Sequence, residues 1–368
     1  MPKTVTIDAR WLVGGIGTYT RNLLQQFHQS ANRFEIQAIV RKRDYLSVRH
    51  FCPSLTVIDA PIYTLREQWL VARASRRTDL LHVPHYNAPL LHRGPLIVSI
   101  MDVIHLSLPA RNRRFSSQFY ARPMLNAVAR KADHVVTVSS FSKGEIVRTL
   151  GIPESKITVI PCGVSDEYGV PCGGTQCSSI VEDLGIQTPF LMYLGNLKPH
   201  KNVTTLLRAF AQLRQRKKLP HSLVIVGDDP RWKPSVVQEC QRLGIPGCTV
   251  FLPYVAQSLL PSVYAAASLL VMPSTIEGFG LPVLESMACG TPVVASRAAS
   301  LPEVGGDAAL YFDPSSPEEL AVQIERVLQS TNLRDSLRSK GIERAKQFSW
   351  RQAARKHSEL YSQLLGLN

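Results

Sequence analysis

The sequence holds 368 residues with a formal net charge of +14, and 45% of them are hydrophobic. This composition excludes a disordered chain, and apolar runs such as 95–101 are much shorter than the roughly 20 residues of a membrane-spanning helix. The length exceeds what one hydrophobic core usually organises, so it predicts two domains.

Positive charge is concentrated in the first half of the chain. Residues 1–163 carry 22 lysines and arginines against 10 acidic residues, whereas residues 164–368 carry 20 against 18. We therefore expect an anionic partner for the first half: a phosphorylated small molecule, an acidic lipid surface or nucleic acid. A merely solvated basic face is the alternative. The basic, aromatic segment 111–122 would suit an anionic membrane, whereas nucleic acid is not expected because no recognisable binding module accompanies the charge.

The opening residues 1–10 lack the charged start and apolar stretch of a secretory signal, which predicts a cytoplasmic protein. If the basic segment contacts lipid, it would do so peripherally on the inner face of the plasma membrane. The seven cysteines form no C-x-x-C pair, so the pattern does not indicate a structural zinc site.

Short β-branched runs alternate with helix-length amphipathic stretches along the first half. This alternation predicts a parallel sheet covered by helices. The predicted strands are TVTID, EIQAIV, LTVI, LLHV, LIVSI, HVVTV and ITVI, and the predicted helices are 17–29, 64–76, 116–131 and 141–150.

A second alternating series follows a stretch rich in glycine, serine, cysteine and proline. We predict an N-terminal domain over 1–165, a linker over 166–188, a C-terminal domain over 189–348 and a last helix in 349–368 that crosses back to the first domain. Such sheets bind ligands at the carboxyl ends of their strands, which makes a cleft between the domains the expected site. The strands of the second series are FLMYLG, SLVIVG, CTVFL, LLVM and PVVAS, and its helices are 202–217, 232–243, 256–267, 282–289, 316–330 and 332–347.

One loop of the second half combines a glycine-rich turn with two acidic residues. Glu277 precedes the glycines, Pro282 suits the first turn of the following helix, and Glu285 falls about one turn into that helix. Backbone N–H groups at a helix start attract phosphate, and carboxylates can accept hydrogen bonds from sugar hydroxyls. We interpret the loop as one wall of a sugar-nucleotide site. The alternative is that the two glutamates only cap and solvate a helix.

Residues 272–303, which include EGFGLPVLESMACGTPVVAS, closely resemble the signature of the retaining glycosyltransferases of family four. These enzymes have the α/β GT-B fold, in which two Rossmann-like doubly wound domains face a cleft. The resemblance extends along nearly the whole chain and is nearest to bacterial mannosyltransferases of polysaccharide assembly. It implies transfer of a hexose to a glycan or lipid-linked acceptor with retention of the anomeric configuration. The first candidate donor is GDP-mannose and the second is a UDP-sugar. No cofactor and no metal ion are expected.

The resemblance also implies roles for particular residues. Glu277 would bind hydroxyls of the donor sugar, Glu285 the ribose, and Lys201 in GNLKPHKN the diphosphate. Many relatives carry an arginine where this chain has Asn196, which leaves Lys198 as a candidate substitute. The other implied donor-binding positions are Gly15, Gly17, Gly227, Tyr254, Val255, Gly278, Phe279, Gly280 and Leu281.

Glycines near the start of the chain raise a second nucleotide interpretation. Gly14, Gly15 and Gly17 are predicted to lie just before a helix, but a dinucleotide fingerprint would need a further glycine where Thr20 stands. This weakens an NAD site. In the resembled family the same loop approaches the diphosphate and sugar through its backbone.

The first domain departs from the family at one catalytic position. Relatives commonly place a histidine near the reacting sugar where this chain has Met101, before Asp102, and a thioether cannot replace imidazole as a proton donor or acceptor. Either that histidine is dispensable, or His85 or His105 covers its position, or activity is reduced. We take His85 as the better candidate and predict Glu277, Lys201, Asp102 and His85 as the catalytic set.

Two other functions remain open from the sequence. A sugar-nucleotide epimerase or hydrolase on the same fold would convert the donor without an acceptor. A catalytically lapsed glycosyltransferase would serve as a binding subunit, an alternative motivated by Met101 and Asn196. Asp228-Asp229 is not the D-x-D pair by which the other major glycosyltransferase fold holds a metal.

Overall fold

The computed structural model describes residues 2–107, 115–169 and 174–367. They form two compact units. Unit 1 comprises Met1–Gly163 with Ser349–Asn368, and unit 2 comprises Val164–Phe348. Each unit is a parallel sheet with helices, which confirms the fold class predicted from the alternating pattern.

The unit 1 sheet has seven strands in the order β3-β2-β1-β4-β5-β6-β7, all parallel. The order reverses between β1 and β4, so the loops that leave the carboxyl ends of these two neighbours diverge and open a crevice. The strands are β1 (Lys3–Asp8), β2 (Phe34–Val40), β3 (Leu55–Val57), β4 (Leu80–Val83), β5 (Leu96–Ser99), β6 (His134–Thr137) and β7 (Ile157–Val159).

The first helix starts earlier than predicted. It begins at Gly14, so Gly14, Gly15 and Gly17 lie in its first turn and not before it. A Cβ on Gly17 would stand 2.3 Å from the backbone carbon of Leu12, so a glycine lets the incoming chain pass close to the helix. The helices of unit 1 are α1 (Gly14–Gln29), α2 (Tyr45–Arg49), α3 (Leu65–Ala74), α4 (Ile104–Ser107), α5 (Phe115–Lys131), α6 (Ser140–Leu150) and α15 (Trp350–Leu365).

Helix α15 packs on α1 and β4 of unit 1. The Ser349 hydroxyl caps its start by accepting a hydrogen bond from the Gln352 N–H at 3.2 Å, and Gly366 ends it in the left-handed conformation. Its apolar face recurs every three or four residues, as a helix against a core requires. The buried residues of that face are Trp350, Ala353, Ala354, His357, Leu360 and Tyr361.

A chain of hydrogen bonds also joins α15 to the sheet. His357 must donate from Nδ1 to the Ala353 carbonyl, and because burial lowers its pKa to about 4, the ring is neutral and its Nε2 accepts from Tyr19 at 2.7 Å. The direction of every other hydrogen bond in the series then follows, because each hydroxyl group and each neutral imidazole ring has one proton to donate. This histidine relay runs in the donor-to-acceptor direction through Tyr361, His82, Ser99, Tyr19, His357 and Ala353.

The unit 2 sheet has six parallel strands in the order β10-β9-β8-β11-β12-β13, with a reversal between β8 and β11. Its strands are β8 (Phe190–Leu194), β9 (Ser222–Val226), β10 (Thr249–Leu252), β11 (Leu269–Met272), β12 (Val293–Ser296) and β13 (Ala309–Phe312). Its helices are α7 (Gly174–Asp183), α8 (Val203–Lys217), α9 (Lys233–Arg242), α10 (Leu260–Ala266), α11 (Leu281–Ala288), α12 (Leu301–Gly305), α13 (Pro317–Gln329) and α14 (Thr331–Lys346).

Two elements of unit 2 differ from the expectation. The strand β13 was not predicted, and the predicted linker 166–188 contains the ten-residue helix α7, which packs on α10. Val181 on this helix is fully buried. A glycine- and serine-rich composition therefore conceals a helix whose support is tertiary contact and not local propensity.

The segment proposed for membrane contact, 111–122, falls largely outside the description. Its residues 111–114 lie beyond the described ranges, as do the side chains of Phe115, Phe119 and Tyr120. Within the ranges that are described, no helix combines the length and the apolar character needed to cross a membrane.

Candidate functional site

The carboxyl edge of the unit 2 sheet carries the loops predicted to bind the donor. Gly195 follows β8 and Gly227 follows β9, and a Cβ on Gly227, whose φ is +135°, would stand 2.0 Å from the carbonyl oxygen of Gly195. The two backbones thus pass closer together than a side chain permits. Main-chain atoms, and not side chains, therefore form this part of the edge of the site.

Lys201 and Glu277 meet although 76 residues separate them. They follow β8 and β11, which are neighbours in the sheet, so their loops leave the same edge. Nζ of Lys201 lies 2.6 Å from Oε1 of Glu277, and the Ser274 hydroxyl donates to the same oxygen at 2.8 Å. The two side chains of the ion pair are 16% and 10% exposed. No described residue donates to Oε2 of Glu277, so that oxygen retains its capacity to accept.

Serine and glycine residues hold the loop from Glu277 to α11. The Ser300 hydroxyl lies 3.0 Å from the carbonyl oxygen of Glu277 and 2.8 Å from that of Phe279, and it can donate to either. Gly280 precedes the helix with a φ of +105°, and a Cβ there would meet a methyl group of Leu301 at 2.8 Å. The helix begins at Leu281, directly after this turn, and the first N–H groups of a helix have no acceptor within it. The turn from Gly278 to Leu281 therefore lies where an anion is favoured.

Glu285 lies in a different environment from Glu277. It is 9% exposed on α11, and its Oε2 accepts a hydrogen bond from the Tyr264 hydroxyl at 2.8 Å. Burial raises the pKa of Glu285 to about 7, with a further raising contribution from the charge of Glu167. Among the described residues no hydrogen bond joins Glu285 to the pair of Lys201 and Glu277. The structure therefore does not bring the two predicted glutamates into one contact group.

His200 is a residue of this site that the sequence analysis missed. Burial, followed by the positive charge of Lys201, lowers the pKa of His200 to about 4, so the ring is neutral at pH 7. Its carbonyl accepts the Thr275 N–H at 2.8 Å and thereby ties the loop after β8 to the loop after β11. The sequence feature that could have identified His200 is its position in GNLKPHKN, directly before Lys201.

The other unit 2 residues predicted to bind the nucleotide-sugar donor lie along the same edge of its sheet. Tyr193 donates from its hydroxyl to the Asn196 carbonyl at 2.6 Å, and the Asn196 side chain accepts the Lys198 N–H at 3.2 Å, which shapes the turn after β8. Tyr254 after β10 is 77% exposed, whereas Val255 is buried. Phe279 is buried with its ring against Phe348.

Unit 1 contains the other predicted site residues. Gly15 and Gly17 lie in the first turn of α1. His85 follows β4 and stacks on Trp11 with ring centroids 5.0 Å apart, and Asp102 follows β5 and accepts the Ile104 N–H at 3.0 Å. The side chain of His105 lies outside the description. Over residues 2–107, 115–169 and 174–367, no three histidine, cysteine, aspartate or glutamate side chains gather as metal ligands do.

Two family models match the chain, one in each half. Residues 13–168 match the model described as Glycosyltransferase Family 4, and residues 180–344 match the model described as Glycosyl transferases group 1. The second match includes Lys201, Glu277 and Glu285. Both halves of the chain thus carry a glycosyltransferase domain.

Among curated relatives, the O-antigen chain mannosyltransferase B of Escherichia coli is 29% identical over 94% of this chain and 95% of its own length. The MMP alpha-(1->4)-mannosyltransferase of Mycolicibacterium hassiacum is 30% identical over 66% of this chain and 57% of its own. The chain is therefore similar to mannosyltransferases, along nearly the full length of the first of them.

Solved structures show the same fold. The Anabaena protein Alr3699/HepE in complex with UDP-glucose superposes with a TM-score of 0.82 at 21% identity, covering 98% of this chain and 99% of that one. Sucrose-phosphate synthase from Thermosynechococcus elongatus gives 0.78 at 21% identity over 100% of both chains. These likenesses show the GT-B fold. The two family matches, which together cover most of the chain, show that it belongs to the family four, group 1 glycosyltransferases.

Proposed function

We propose that the chain transfers a hexose from a nucleotide diphosphate-sugar to an acceptor hydroxyl during glycan or glycolipid assembly, with retention and without a metal ion. Unit 2 binds the donor. The observation that carries this proposal is the ion pair of Lys201 and Glu277, 2.6 Å long and partly accessible, beside the glycine turn that starts α11.

Negative charge grows on the leaving diphosphate as the glycosidic bond breaks. The N–H groups from Gly278 to Leu281 stabilise that charge, as does the ammonium of Lys201, whose flexible side chain can turn from Glu277 towards phosphate. Glu277 then accepts hydrogen bonds from the hydroxyls of the donor sugar. Its Oε2 has no donor among the described residues, which supports this role.

Retention without a covalent intermediate requires that the acceptor attack from the face that the diphosphate leaves. The bond from the anomeric carbon to the phosphate oxygen breaks, the bond to the acceptor oxygen forms on the same face, and the acceptor proton moves to the departing phosphate. No covalent intermediate with the protein is needed. Asp102 and His85 of unit 1 complete the proposed catalytic set with Glu277 and Lys201.

The other proposed contacts of unit 2 with the nucleotide-sugar donor lie along the carboxyl edge of its sheet. Glu285 binds the ribose, and its pKa of about 7 lets it accept from or donate to a hydroxyl. The main chain at Tyr254 and Val255 holds the base, and Gly227 lets the nucleotide approach the sheet. Gly15, Gly17 and Asn196 complete the proposed donor set.

GDP-mannose is the first candidate donor. Two curated relatives are named as mannosyltransferases, which supports mannose, while the structural neighbour that holds UDP-glucose makes UDP-sugars the second candidate. The relative named for the O-antigen chain supports a glycan acceptor in the assembly of a surface polysaccharide.

The test is product analysis with the full chain. GDP-mannose or UDP-glucose is incubated alone and with mannosyl oligosaccharides, with and without EDTA, and products are read by NMR. We expect an α-linked product only when an acceptor is present, in equal yield with EDTA. Free sugar or an epimer formed from donor alone would instead indicate a hydrolase or epimerase. Turnover that appears only in Met101→His would indicate a lapsed enzyme.

A further inference from the structure

Four ring side chains lie together in unit 1 at the crevice where the strand order reverses. Trp11 follows β1, His85 and Tyr86 follow β4, and Tyr63 precedes α3. Trp11 and His85 stack with planes 8° apart, and the Tyr63 ring centroid lies 6.1, 5.8 and 6.0 Å from those of Trp11, His85 and Tyr86. We call these four residues the aromatic cluster.

A buried charged network supports the aromatic cluster from beneath. Arg10, 3% exposed, donates to Asp8 at 2.8 and 2.6 Å and to Glu67 at 2.7 Å. The second oxygen of Glu67 accepts the Tyr63 N–H at 2.7 Å and the Asn87 amide at 2.5 Å. Charge-assisted bonds of this kind are short and directional, so Glu67 fixes the backbone on which Tyr63 stands.

Tyr63 has an unusual backbone for an aromatic residue. Its φ is +68°, a left-handed conformation that costs a side chain with a Cβ free energy and persists where the surroundings impose it. Here Glu67 imposes it through the Tyr63 N–H, and the result is a tyrosine ring 40% exposed at the crevice. Backbone outliers of this kind cluster at functional sites, so the position of this ring is a reason to look for a ligand beside it.

A small cavity lies below the rings. Its volume is about 10 Å³, room for one water-sized group, and its lining is mixed: Trp11, Ile62 and Val83 are apolar, whereas Asp8, Arg10, Glu67, His85 and Asn87 are polar. The Nη1 of Arg10 is buried and has no hydrogen-bond partner among the described residues. Because buried donors are nearly always satisfied, this one is open to an acceptor from outside the protein, either a water molecule or an oxygen atom of a ligand.

The charge of this cavity argues against a phosphate. Asp8, Glu67 and Arg10 bring two carboxyl groups against one guanidinium, so the group has no net positive charge whether Glu67 is ionised or not. Arg10 is the sole lysine or arginine in the described lining. The cavity therefore disfavours an anionic ligand, and the unpartnered Arg10 N–H calls for a hydrogen-bond acceptor and not a cation, so a neutral ligand fits best.

We infer that the aromatic cluster, with the Arg10 Nη1, binds an uncharged sugar ring of the acceptor, so that the acceptor end is a neutral saccharide and not a phosphorylated alcohol. This inference rests on the proposed function and makes it more specific. A pyranose offers an apolar C–H face to Tyr63 and Trp11, and a hydroxyl oxygen to Arg10.

Binding can be measured without any donor. Saturation-transfer NMR on the full chain uses methyl α-D-mannopyranoside, methyl α-D-glucopyranoside, methyl α-D-galactopyranoside and α-linked mannotriose as neutral probes, with mannose 6-phosphate and myo-inositol 1-phosphate as charged ones. We expect saturation of at least one neutral probe, and at least tenfold weaker binding of both phosphates. Binding of the phosphates alone, or of no neutral probe, overturns the inference.

Tyr63→Gly is the decisive variant, because glycine removes the ring yet suits a positive φ, so the fold should be retained. We expect at least a tenfold weaker saccharide Kd, about 1.4 kcal/mol, with an unchanged GDP or UDP Kd. The matched control is Trp69→Ala, which deletes a ring 49% exposed on α3 that contacts Arg73 and should change neither constant. Equal saccharide affinity in Tyr63→Gly and wild type overturns the inference, whereas failed nucleotide binding in wild type would count against the proposed function alone.

Discussion

Unit 1 and unit 2 both place a cation against carboxylates, but in different ways. In unit 1 Arg10 is 3% exposed, and its planar guanidinium group forms ion pairs with two carboxylates, those of Asp8 and Glu67. In unit 2 Lys201 is 16% exposed, and its one carboxylate partner in the description is Glu277. A guanidinium held by two partners cannot rearrange without cost, whereas an ammonium on a flexible stem can. We conclude that the first arrangement holds the aromatic cluster in place and leaves only Nη1 of Arg10 to a ligand, whereas in the second the whole ammonium group can turn towards one.

The two units also bury titratable groups with opposite consequences for pH. In unit 1 the histidine relay needs neutral rings, and burial lowers the pKa of both His82 and His357. In unit 2 burial raises the pKa of Glu285 to about 7. Burial therefore favours the uncharged form of these three groups, and acid opposes that form for the histidines of unit 1 whereas base opposes it for Glu285 of unit 2.

The largest expected effect is on the buried network of unit 1. Glu67→Ala leaves the Asn87 amide and the Tyr63 N–H without their acceptor and removes one of the two carboxylates of Arg10. Each buried donor left unpaired costs about 1–3 kcal/mol of unfolding free energy. The measurement is urea unfolding followed by tryptophan fluorescence in a Trp232→Phe background, where the three remaining tryptophans all belong to unit 1.

The matched control for this change is Lys3→Ala. It breaks the surface pair with Asp79, in which the lysine side chain is 47% exposed, and it should cost less than about 1 kcal/mol. If Glu67→Ala lowered the unfolding free energy no more than Lys3→Ala, the buried network would not stabilise unit 1 as we infer.

The next effect concerns the accessible pair of unit 2. Lys201→Ala should lower kcat on the order of 10²-fold or more, the scale of losing one preorganised charge stabiliser, while the thermal midpoint changes little. The control is Lys233→Ala, which removes another ion-paired lysine of unit 2, bonded to Asp228 at 3.5 Å. A kcat unchanged in Lys201→Ala would contradict the assignment.

A smaller effect is the acid response of unit 1. Because the folded-state pKa values of His82 and His357 lie below the value near 6.5 of the unfolded chain, the unfolded state binds more protons between pH 6.5 and about 4. The unfolding free energy is therefore complete above pH 6.5 and falls as pH falls, by about 1.4 kcal/mol per pH unit for His357 alone. Unfolding in the Trp232→Phe background at pH 7, 6 and 5 measures it. A flat profile would show that the relay is not neutral.

Unit 2 should respond in the opposite direction and by a similar or smaller amount. The folded-state pKa of Glu285 is raised to about 7 from an ordinary value of 4.5, so its contribution is present below pH 4.5 and is lost as pH rises towards 7, by at most about 1.4 kcal/mol per unit. Trp232 is the single tryptophan of unit 2 and reports its unfolding. Glu285→Gln, which cannot titrate, should remove this decline; an unchanged decline would assign it to another group.

Local pattern was enough to predict most of the fold. The β-branched runs identified all seven strands found in the described part of unit 1, because strands buried on both faces read as short apolar stretches. The strand β13, ALYF, was missed because it is short and follows a glycine-rich turn without alternation. The early start of α1 was missed because glycine signals a loop, whereas here it admits the backbone of Leu12.

The sites were predictable to different extents. Lys201 and Glu277 were chosen from their loops, although their 2.6 Å contact depends on strand order, which local pattern does not encode. The histidine relay and the aromatic cluster could not be predicted, because their members are far apart in the chain; Tyr19 and His357 are 338 residues apart. The left-handed backbone of Tyr63 depends on the Glu67 carboxylate and has no signal of its own.

Calorimetric titration of the full chain with GDP and UDP tests the central claim most directly, namely that the glycine turn and Lys201 of unit 2 receive a nucleotide diphosphate. We predict saturable binding of at least one of the two, weakened at least tenfold in Lys201→Ala and unchanged in Lys233→Ala. Failure of both nucleotides to bind, or equal affinity in Lys201→Ala and wild type, would contradict it.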